Sequence, residues 1–461
     1  MDEVEHYDAV IIGAGQPGKP LAMKLTAMGW KTALVERKYV GGACVNVGCT
    51  PAKTIAASAR VAHLVRRAGE YGVHTGPVTI DMVRVRQRKR DLVASFRASA
   101  EQRVAEAGVT VLRGEASFVG PHALEVALND GGLRRLAANK IFIDVGLRPF
   151  IPPLDGLADV PFLDSTSVME LETVPDHLLV LGGGYIGLEF GQMFQRFGSR
   201  VTIVESAPQV LAHEDRDMAD ALTEILRADG IEVLVNAEAR RVVMGSRGEL
   251  HLRVHQPGQD LDLVGSHLLV ATGRVPATER LNLSAAGVTV DARGYVVVNG
   301  GLETNVPGVY AMGDVKGGPA FTSVAYDDYR VLRTNLLGKG GATIENRLVP
   351  YTVYTDPQLG CVGLTETEAR SKGKQIKVAK MLMKRVARAV EMDETRGVIK
   401  VIIDAETDQI LGAAILGMEG GELMSVLQMA IMGGLPYTTL ENTIYAHPTL
   451  AESLNNLFSG L

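Results

Sequence analysis

The feature that most constrains this chain is a strand, glycine loop and helix unit that occurs twice. Asp8-Ala9-Val10-Ile11-Ile12 reads as an apolar strand running into Gly13-Ala14-Gly15-Gln16-Pro17-Gly18 and then into a helical pattern. Gly13 serves the tight turn, Gly15 lets a pyrophosphate approach the backbone, and Gly18 permits close packing of helix on strand. The helix N terminus then offers N–H groups and the positive end of its dipole to phosphate. Pro17 and Pro20 are compatible with this, because a first helical turn has spare N–H groups. A second strand, Thr32-Ala33-Leu34-Val35-Glu36, ends in a carboxylate placed to accept hydrogen bonds from a ribose. The arrangement returns at Leu178-Leu179-Val180-Leu181-Gly182-Gly183-Gly184-Tyr185-Ile186-Gly187, followed by a helix and by Val201-Thr202-Ile203-Val204-Glu205. Two fingerprints imply two dinucleotides, one that stays bound and one that exchanges. Glu205 is followed by Ser206 and Ala207 rather than by arginines, which favours the free 2′-hydroxyl of NADH over a 2′-phosphate.

Just past the first fingerprint lies Gly41-Gly42-Ala43-Cys44-Val45-Asn46-Val47-Gly48-Cys49-Thr50-Pro51. Two thiols so spaced, beside a dinucleotide site, can open and close as a disulfide with electrons from the cofactor. A buried structural pair of cysteines does not require Gly41-Gly42 and Gly48, which point to close backbone approach to something flat or charged. The third cysteine, Cys361, sits in an apolar strand-like segment and is expected to be buried.

Composition sets the frame. A chain of 461 residues, 46% hydrophobic, has material for two to four domains. A net charge of −6 with both signs interspersed leaves no broad basic surface for nucleic acid. The run Arg84 to Arg90 reads as the solvated face of a helix. The start Met1-Asp2-Glu3-Val4-Glu5 lacks the cationic segment of a secretory signal, and three cysteines make no disulfide scaffold, so a cytoplasmic protein is expected. The longest uncharged run, Leu423 to Leu440, is interrupted by Ser425, Gln428, Gly433-Gly434 and Pro436 and reads as a buried helix and turn, not a membrane span. No metal-ligand spacing is present, and no metal site is expected. A helical region, roughly Thr50 to Gly108, precedes short strands; the link Arg148-Pro149-Phe150-Ile151-Pro152-Pro153 and the segment Ala271 to Pro276 bracket the second nucleotide unit. The expected domains are therefore 1–150 with 274–340, then 151–273, then a separate α/β interface domain at 347–461.

Through the Cys44 to Cys49 segment, both fingerprints, Ala271-Thr272-Gly273-Arg274-Val275-Pro276, Met312-Gly313-Asp314 and Ala446-His447-Pro448-Thr449-Leu450-Ala451-Glu452, the chain resembles the class I flavin disulfide reductases. That family includes dihydrolipoamide dehydrogenase, glutathione reductase and mercuric reductase, and the resemblance spans essentially the whole length. Cys44 to Thr54, His213 to Asp217 and Glu452 to Phe458 look most like the mercuric-reductase-like branch, which includes the reactive-chlorine-resistance flavoprotein. The resemblance implies an α/β fold of two Rossmann-like dinucleotide-binding domains, for FAD and NAD(P)H, with a C-terminal α/β dimerisation domain. It implies Cys44 as the thiol that attacks substrate and Cys49 as the thiol against the flavin. His447 becomes the base, oriented by Glu452 across one helical turn and facing the thiols of the other subunit of a homodimer. Lys53 would lie near the flavin N5 and pair with Glu189, Tyr185 would cover the nicotinamide pocket, and Asp314 would bond the ribityl chain. Gly42, Gly146, Gly273, Gly313 and Arg274 complete the implied cofactor-binding set, together with the fingerprint residues Gly13, Gly15, Gly18, Glu36, Gly182, Gly184, Gly187 and Glu205.

Two departures qualify the resemblance. Ile143-Asp144-Val145-Gly146 stands where the family usually has Thr-Gly near the flavin phosphates, so Asp144 is expected to repel them unless it turns away. The sequence opens at the flavin fingerprint, without a preceding metal-binding module, and Leu457-Phe458-Ser459-Gly460-Leu461 lacks the cysteine pair that mercuric reductases use. The leading expectation is an FAD-dependent reductase, preferring NADH with NADPH as the alternative donor, that acts on a small disulfide or another thiol-accessible oxidant. The alternatives are a metal-ion reductase, mercuric or cupric, and the dihydrolipoamide dehydrogenase component of a 2-oxo-acid dehydrogenase complex. No nucleic-acid or membrane partner is expected.

Overall fold

In a computed structural model that describes residues 4–461, the chain divides into two compact units. Its first eight helices are α1 (Gly18–Ala27), α2 (Gly42–Asn46), α3 (Cys49–Arg67), α4 (Met82–Glu106), α5 (Tyr185–Phe197), α6 (Arg216–Ala228), the single turn α7 (Leu283–Ala286) and α8 (Thr322–Leu337).

The first unit gathers residues up to 54 with 84–150 and 273–347. Its sheet places Val4–Ile12 between Thr32–Glu36 and Leu133–Ile143, all parallel, with Thr110–Gly120 and Val309–Ala311 outside them. Ala123–Leu128 returns antiparallel between the two longest strands. Strands buried on both faces must be apolar throughout, and Ala9, Val10, Ile11, Ile141, Phe142 and Ile143 are fully enclosed. The register aligns Ile12 with Val35 and with Ile143, and Ile143 with Ala311, so the carboxyl ends finish together, the edge where such sheets bind ligands. On one face, α1 and α4 share a core through Leu21, Ala22, Leu25, Ala100 and Val104.

The second unit gathers 55–83, 151–272 and 348–461. One part is a parallel sheet with His177–Leu181 between Arg200–Val204 and His267–Val270, and Glu232–Leu234 beyond. A three-stranded antiparallel meander runs from Glu238 to Gly265. The C-terminal part is a five-stranded antiparallel sheet in the order Tyr351–Val353, Gln358–Gly363, Ile410–Gly417, Val398–Asp404, Ile376–Leu382, with the helix Gly420–Met432 packed on it. Lys400, 1% exposed, is held by Asp215, Asp217 and Glu366, all within 3.0 Å.

Two sequence expectations need correction. The basic run lies on α4, yet Lys89 is only 4% exposed and Arg88 donates to the Thr54 carbonyl at 2.8 Å, so the run is not a uniformly solvated face. The uncharged segment from Leu423 forms a helix, but Met429 and Met432 are each 64% exposed. An apolar composition hid an apolar outer face, because periodicity within an all-apolar run leaves no polar stripe to mark it. Among the described residues no helix is long and apolar enough to cross a membrane.

Candidate active site

The first glycine loop is built around an inward carboxyl. Gly13 has φ +105°, a conformation that favours glycine, and a Cβ there would lie 2.1 Å from the Asp144 carbonyl oxygen. Asp144 Oδ2 accepts from the N–H of Gly15 at 2.9 Å and of Gly18 at 3.0 Å. The expected repulsion from Asp144 is thereby corrected: the side chain turns in beneath the loop, and burial pushes its pKa well up, toward the neutral form, against the pull of those two N–H groups. Glu36 braces the loop from its second strand, accepting from the N–H of Ala14 at 2.9 Å and of Lys38 at 2.7 Å.

The thiols are carried directly against this loop. Gly41 donates to the Ala14 carbonyl at 2.9 Å, and a Cβ on Gly42 would stand 2.7 Å from Gly15 Cα, so only glycine lets α2 come this close. Arg97 on α4 donates to Asn46 Oδ1 at 2.7 Å and fixes the far end of α2. Cys44 is half-buried on α2, and Cys49 opens α3. The two sulfurs share a hydrogen bond that draws the Cys49 pKa down to about 6 and pushes that of Cys44 up. Thr322 and the Lys53 charge add to the lowering at Cys49, against burial. Thr322, the first residue of α8, has its hydroxyl 3.4 Å from the Cys49 sulfur. A helix N terminus favours an anion, so α8 supports a thiolate there. Thr322 was missed in the sequence; its signal was the helix start after Gly317-Gly318-Pro319, eight residues beyond Asp314.

Asp314 sits at the carboxyl edge of the same sheet, 3.7 Å from Arg274, and burial raises its pKa against the pull of Arg274. Its position depends on Asp328, fully buried on α8, which accepts from the Gly313 N–H and from Arg347, each at 2.7 Å, with Lys316 at 3.3 Å. Gly146 and Gly273 have φ +65° and +134°, and a Cβ at either would meet nothing within 4 Å.

In the second unit the other fingerprint repeats the device. Gly182 has φ +107°, and a Cβ at Gly187 would fall 2.0 Å from the Gly182 carbonyl oxygen, so strand and helix touch there. Gly184 precedes α5 in an extended conformation with open space beside it, and Tyr185 begins the helix. Glu205 accepts from the N–H of Gly183 at 2.6 Å and of Ala207 at 2.7 Å. Glu189 is buried on α5 and accepts from the Tyr354 N–H at 2.9 Å. His447 Nδ1 meets Glu452 at 2.9 Å, with the ring largely exposed. The two residues bracket a loop that ends where the helix Ser453–Phe458 begins, which corrects the expected spacing across a helical turn. Cys361 is buried, as expected, and donates to Glu214 at 3.4 Å beside Tyr351. Burial and the Glu214 charge hold its thiol protonated. No cluster of three metal-ligating side chains occurs among the described residues.

Two phosphate-type loops, with a pair of thiols against the first, describe a dinucleotide-dependent redox protein. The sequence matches the pyridine nucleotide-disulphide oxidoreductase family over residues 7–328 and the dimerisation domain of that family over residues 349–458, and the chain belongs to this family. It is 40% identical to the probable pyridine nucleotide-disulfide oxidoreductase RclA of Escherichia coli over 98% of this chain and 99% of the relative. It is 34% identical to a mercuric reductase of Bacillus cereus over 97% of this chain and 70% of the relative. The solved Cu(II) complex of the HOCl-induced flavoprotein disulfide reductase RclA from Escherichia coli superposes with a TM-score of 0.90 at 39% identity, covering 99% of this chain and 100% of that one. The protein is thus a flavoprotein disulfide reductase that uses FAD and NAD(P)H. Its residues fit both groups: Gly13 and Gly182 take the positive φ that the two loops need, and a Cβ at Gly146, Gly184 or Gly273 would meet nothing within 4 Å, so the backbone is open there.

Proposed function

We propose that Cys44 and Cys49 form the redox disulfide and that this protein reduces small disulfides with NADH. The observation that carries the reading is the packing of α2 on the first glycine loop, which brings Cys44 and Cys49 to the site expected for FAD. FAD supplies the two-electron exchange between nicotinamide and the thiols. In the dithiol state Cys49 holds the negative charge and Cys44 the proton. His447 of one subunit takes that proton as Cys44 of the other attacks one sulfur of the acceptor, forming a mixed disulfide and releasing a thiolate that the imidazolium protonates. The Cys49 thiolate then attacks the Cys44 sulfur, the mixed disulfide breaks with the second product leaving as a thiolate that takes its proton from water, and the Cys44–Cys49 disulfide closes. Glu452 orients the imidazole through Nδ1, leaving Nε2 for the proton.

The remaining assignments belong to the same reading. Residues 1–150 and 274–340 hold FAD, with Gly13, Gly15, Gly18, Glu36, Gly42, Lys53, Gly146, Gly313 and Asp314 in contact. Residues 151–273 hold the nicotinamide dinucleotide through Gly182, Gly184, Tyr185, Gly187 and Glu205, and Gly273 and Arg274 complete the cofactor-binding set. Residues 347–461 form the interface of a cytoplasmic homodimer. A cupric ion is the second acceptor to consider, because the relative of known structure was solved as a Cu(II) complex. Turnover of purified enzyme with NADH across a panel of disulfides and Cu(II) tests the proposal. Thiol product in stoichiometry with NADH is the expected result; NADH oxidation without thiol release, in wild-type enzyme under anaerobic conditions, would overturn it.

A further inference from the structure

Lys19 is the second residue of α1 and is 9% exposed, yet its ammonium makes no hydrogen bond or ion pair among the described residues. A buried lysine without a counter-ion is costly. Burial and the nearby Arg103 guanidinium both lower its pKa. Arg103 reaches the same place because α1 and α4 share a core at Leu21, Leu25, Ala100 and Val104, and it too has no carboxylate partner among the described residues. The carboxyl that acts on Lys19 is Asp144, and it does not neutralise the ammonium: its Oδ2 is committed to Gly15 and Gly18, and burial favours its neutral form. The remaining group that feels the Lys19 charge is the Cys44 thiol. α2, which carries that thiol, lies against the loop from which α1 starts. One buried cation without an ion pair thus lies within electrostatic reach of the sulfur that attacks the acceptor, and a second, exposed cation lies next to the first.

We infer that Lys19 and Arg103 form an anion-recognition site beside Cys44, and that the preferred acceptors are disulfides carrying a carboxylate close to the S–S bond. This rests on the disulfide-reductase reading above and adds to it the charge of the substrate. The acceptor anion supplies the counter-charge that the fold omits, so recognition and relief of the buried charge are one event. The attack itself is unchanged: Cys44 bonds to one acceptor sulfur, the S–S bond breaks, and the electron pair leaves on the departing thiolate.

The test compares two acceptors with NADH as donor: 5,5′-dithiobis(2-nitrobenzoate), which carries a carboxylate on each ring, and uncharged 4,4′-dithiodipyridine. Lys19→Met is expected to lower the ratio of kcat/KM for the dianionic over the neutral disulfide by roughly ten-fold or more, the scale of one charge-assisted contact. Lys19→Arg should restore most of the ratio, and the FAD content by absorbance should match wild type. An equal loss with both acceptors would assign Lys19 to the thiol and overturn the inference. Loss of bound FAD in Lys19→Met, with Lys19→Arg loaded, would assign it to the flavin diphosphate and overturn it likewise. If Lys19→Met does not fold, Arg103→Gln, at an exposed position, must still lower the ratio, and an unchanged ratio there counts against the site. Wild-type enzyme that reduces neither disulfide would instead defeat the disulfide-reductase reading on which the inference depends.

Discussion

Thr322 places its hydroxyl 3.4 Å from the sulfur of Cys49, so the thiol that opens one helix faces the N terminus of another. The hydrogen bond from Cys44, with Thr322 and Lys53 behind it, keeps the charge of the dithiol on Cys49 at neutral pH. The distribution of one proton between two sulfurs is therefore a property of the fold, and it gives a direct pH signature.

In two-electron-reduced enzyme, the long-wavelength absorbance that a Cys49 thiolate gives against FAD should be full at neutral pH. It should fade as the pH falls through about 6, because an acid with a lowered pKa is charged above that value and neutral below it. Thr322→Val removes one hydrogen bond to the sulfur and should move the midpoint upward. A titration that gives the same midpoint for both proteins would remove Thr322 from the account.

Substituting the thiols separates their roles. Cys49→Ser should abolish the long-wavelength band, whereas Cys44→Ser leaves Cys49 unable to close a disulfide and should show the band without any reductant. Spectra of both variants as isolated decide the matter, and identical flavin spectra in all three proteins would contradict the pairing.

Cofactor choice follows from Glu205. Wild-type enzyme should give a higher kcat/KM with NADH than with NADPH, and Glu205→Ala combined with Ser206→Arg should move the preference toward NADPH. A wild-type preference for NADPH would refute the argument without touching the fold.

His447 should matter to one half-reaction only. His447→Ala should be reduced by NADH at a normal rate yet turn over disulfide about 10²–10⁴-fold more slowly, the usual contribution of a general acid–base group. Mixing it with Cys44→Ser under subunit exchange should restore activity, because the heterodimer keeps one intact thiol pair opposite one intact histidine. Heterodimers confirmed by native mass spectrometry but inactive would place the base within its own chain or nowhere.

Asp144 offers a stability test. Asp144→Leu leaves the N–H groups of Gly15 and Gly18 without their acceptor in a buried loop, a loss of about 1–3 kcal/mol, and should lower Tm. Asp144→Asn keeps an acceptor oxygen and should remain near wild type. Equal destabilisation by both would mean that the acceptor is not what the loop needs.

Much of this was legible in the chain because the chemistry is local in sequence. Strand, glycines and terminal acid fall within one short stretch, and the positive φ values at Gly13 and Gly182 are what the fingerprint demands. The separation of Cys44 from Cys49 likewise survives translation into two abutting helices. What sequence could not supply depends on residues far apart in the chain. Asp144 reads as a misplaced charge until its two N–H donors, more than a hundred residues away, are in view. The hold of Asp328 on Gly313 and Arg347 has no spacing signature, and Thr322 matters only because a helix brings it to a thiol.

Glu36 and Glu205 each cap a strand and also hold the backbone of the glycine loop beside it, through the N–H of Ala14 in one case and of Gly183 in the other. The residue we propose as the reader of the ribose is thus also a brace of the glycine loop beside it. A lineage that drifts from one nicotinamide to the other by replacing Glu205 also gives up the acceptor of the Gly183 N–H unless the new residue accepts in its place. The order in which substitutions arrive, not merely their sum, then decides whether intermediates along that route still fold a working loop.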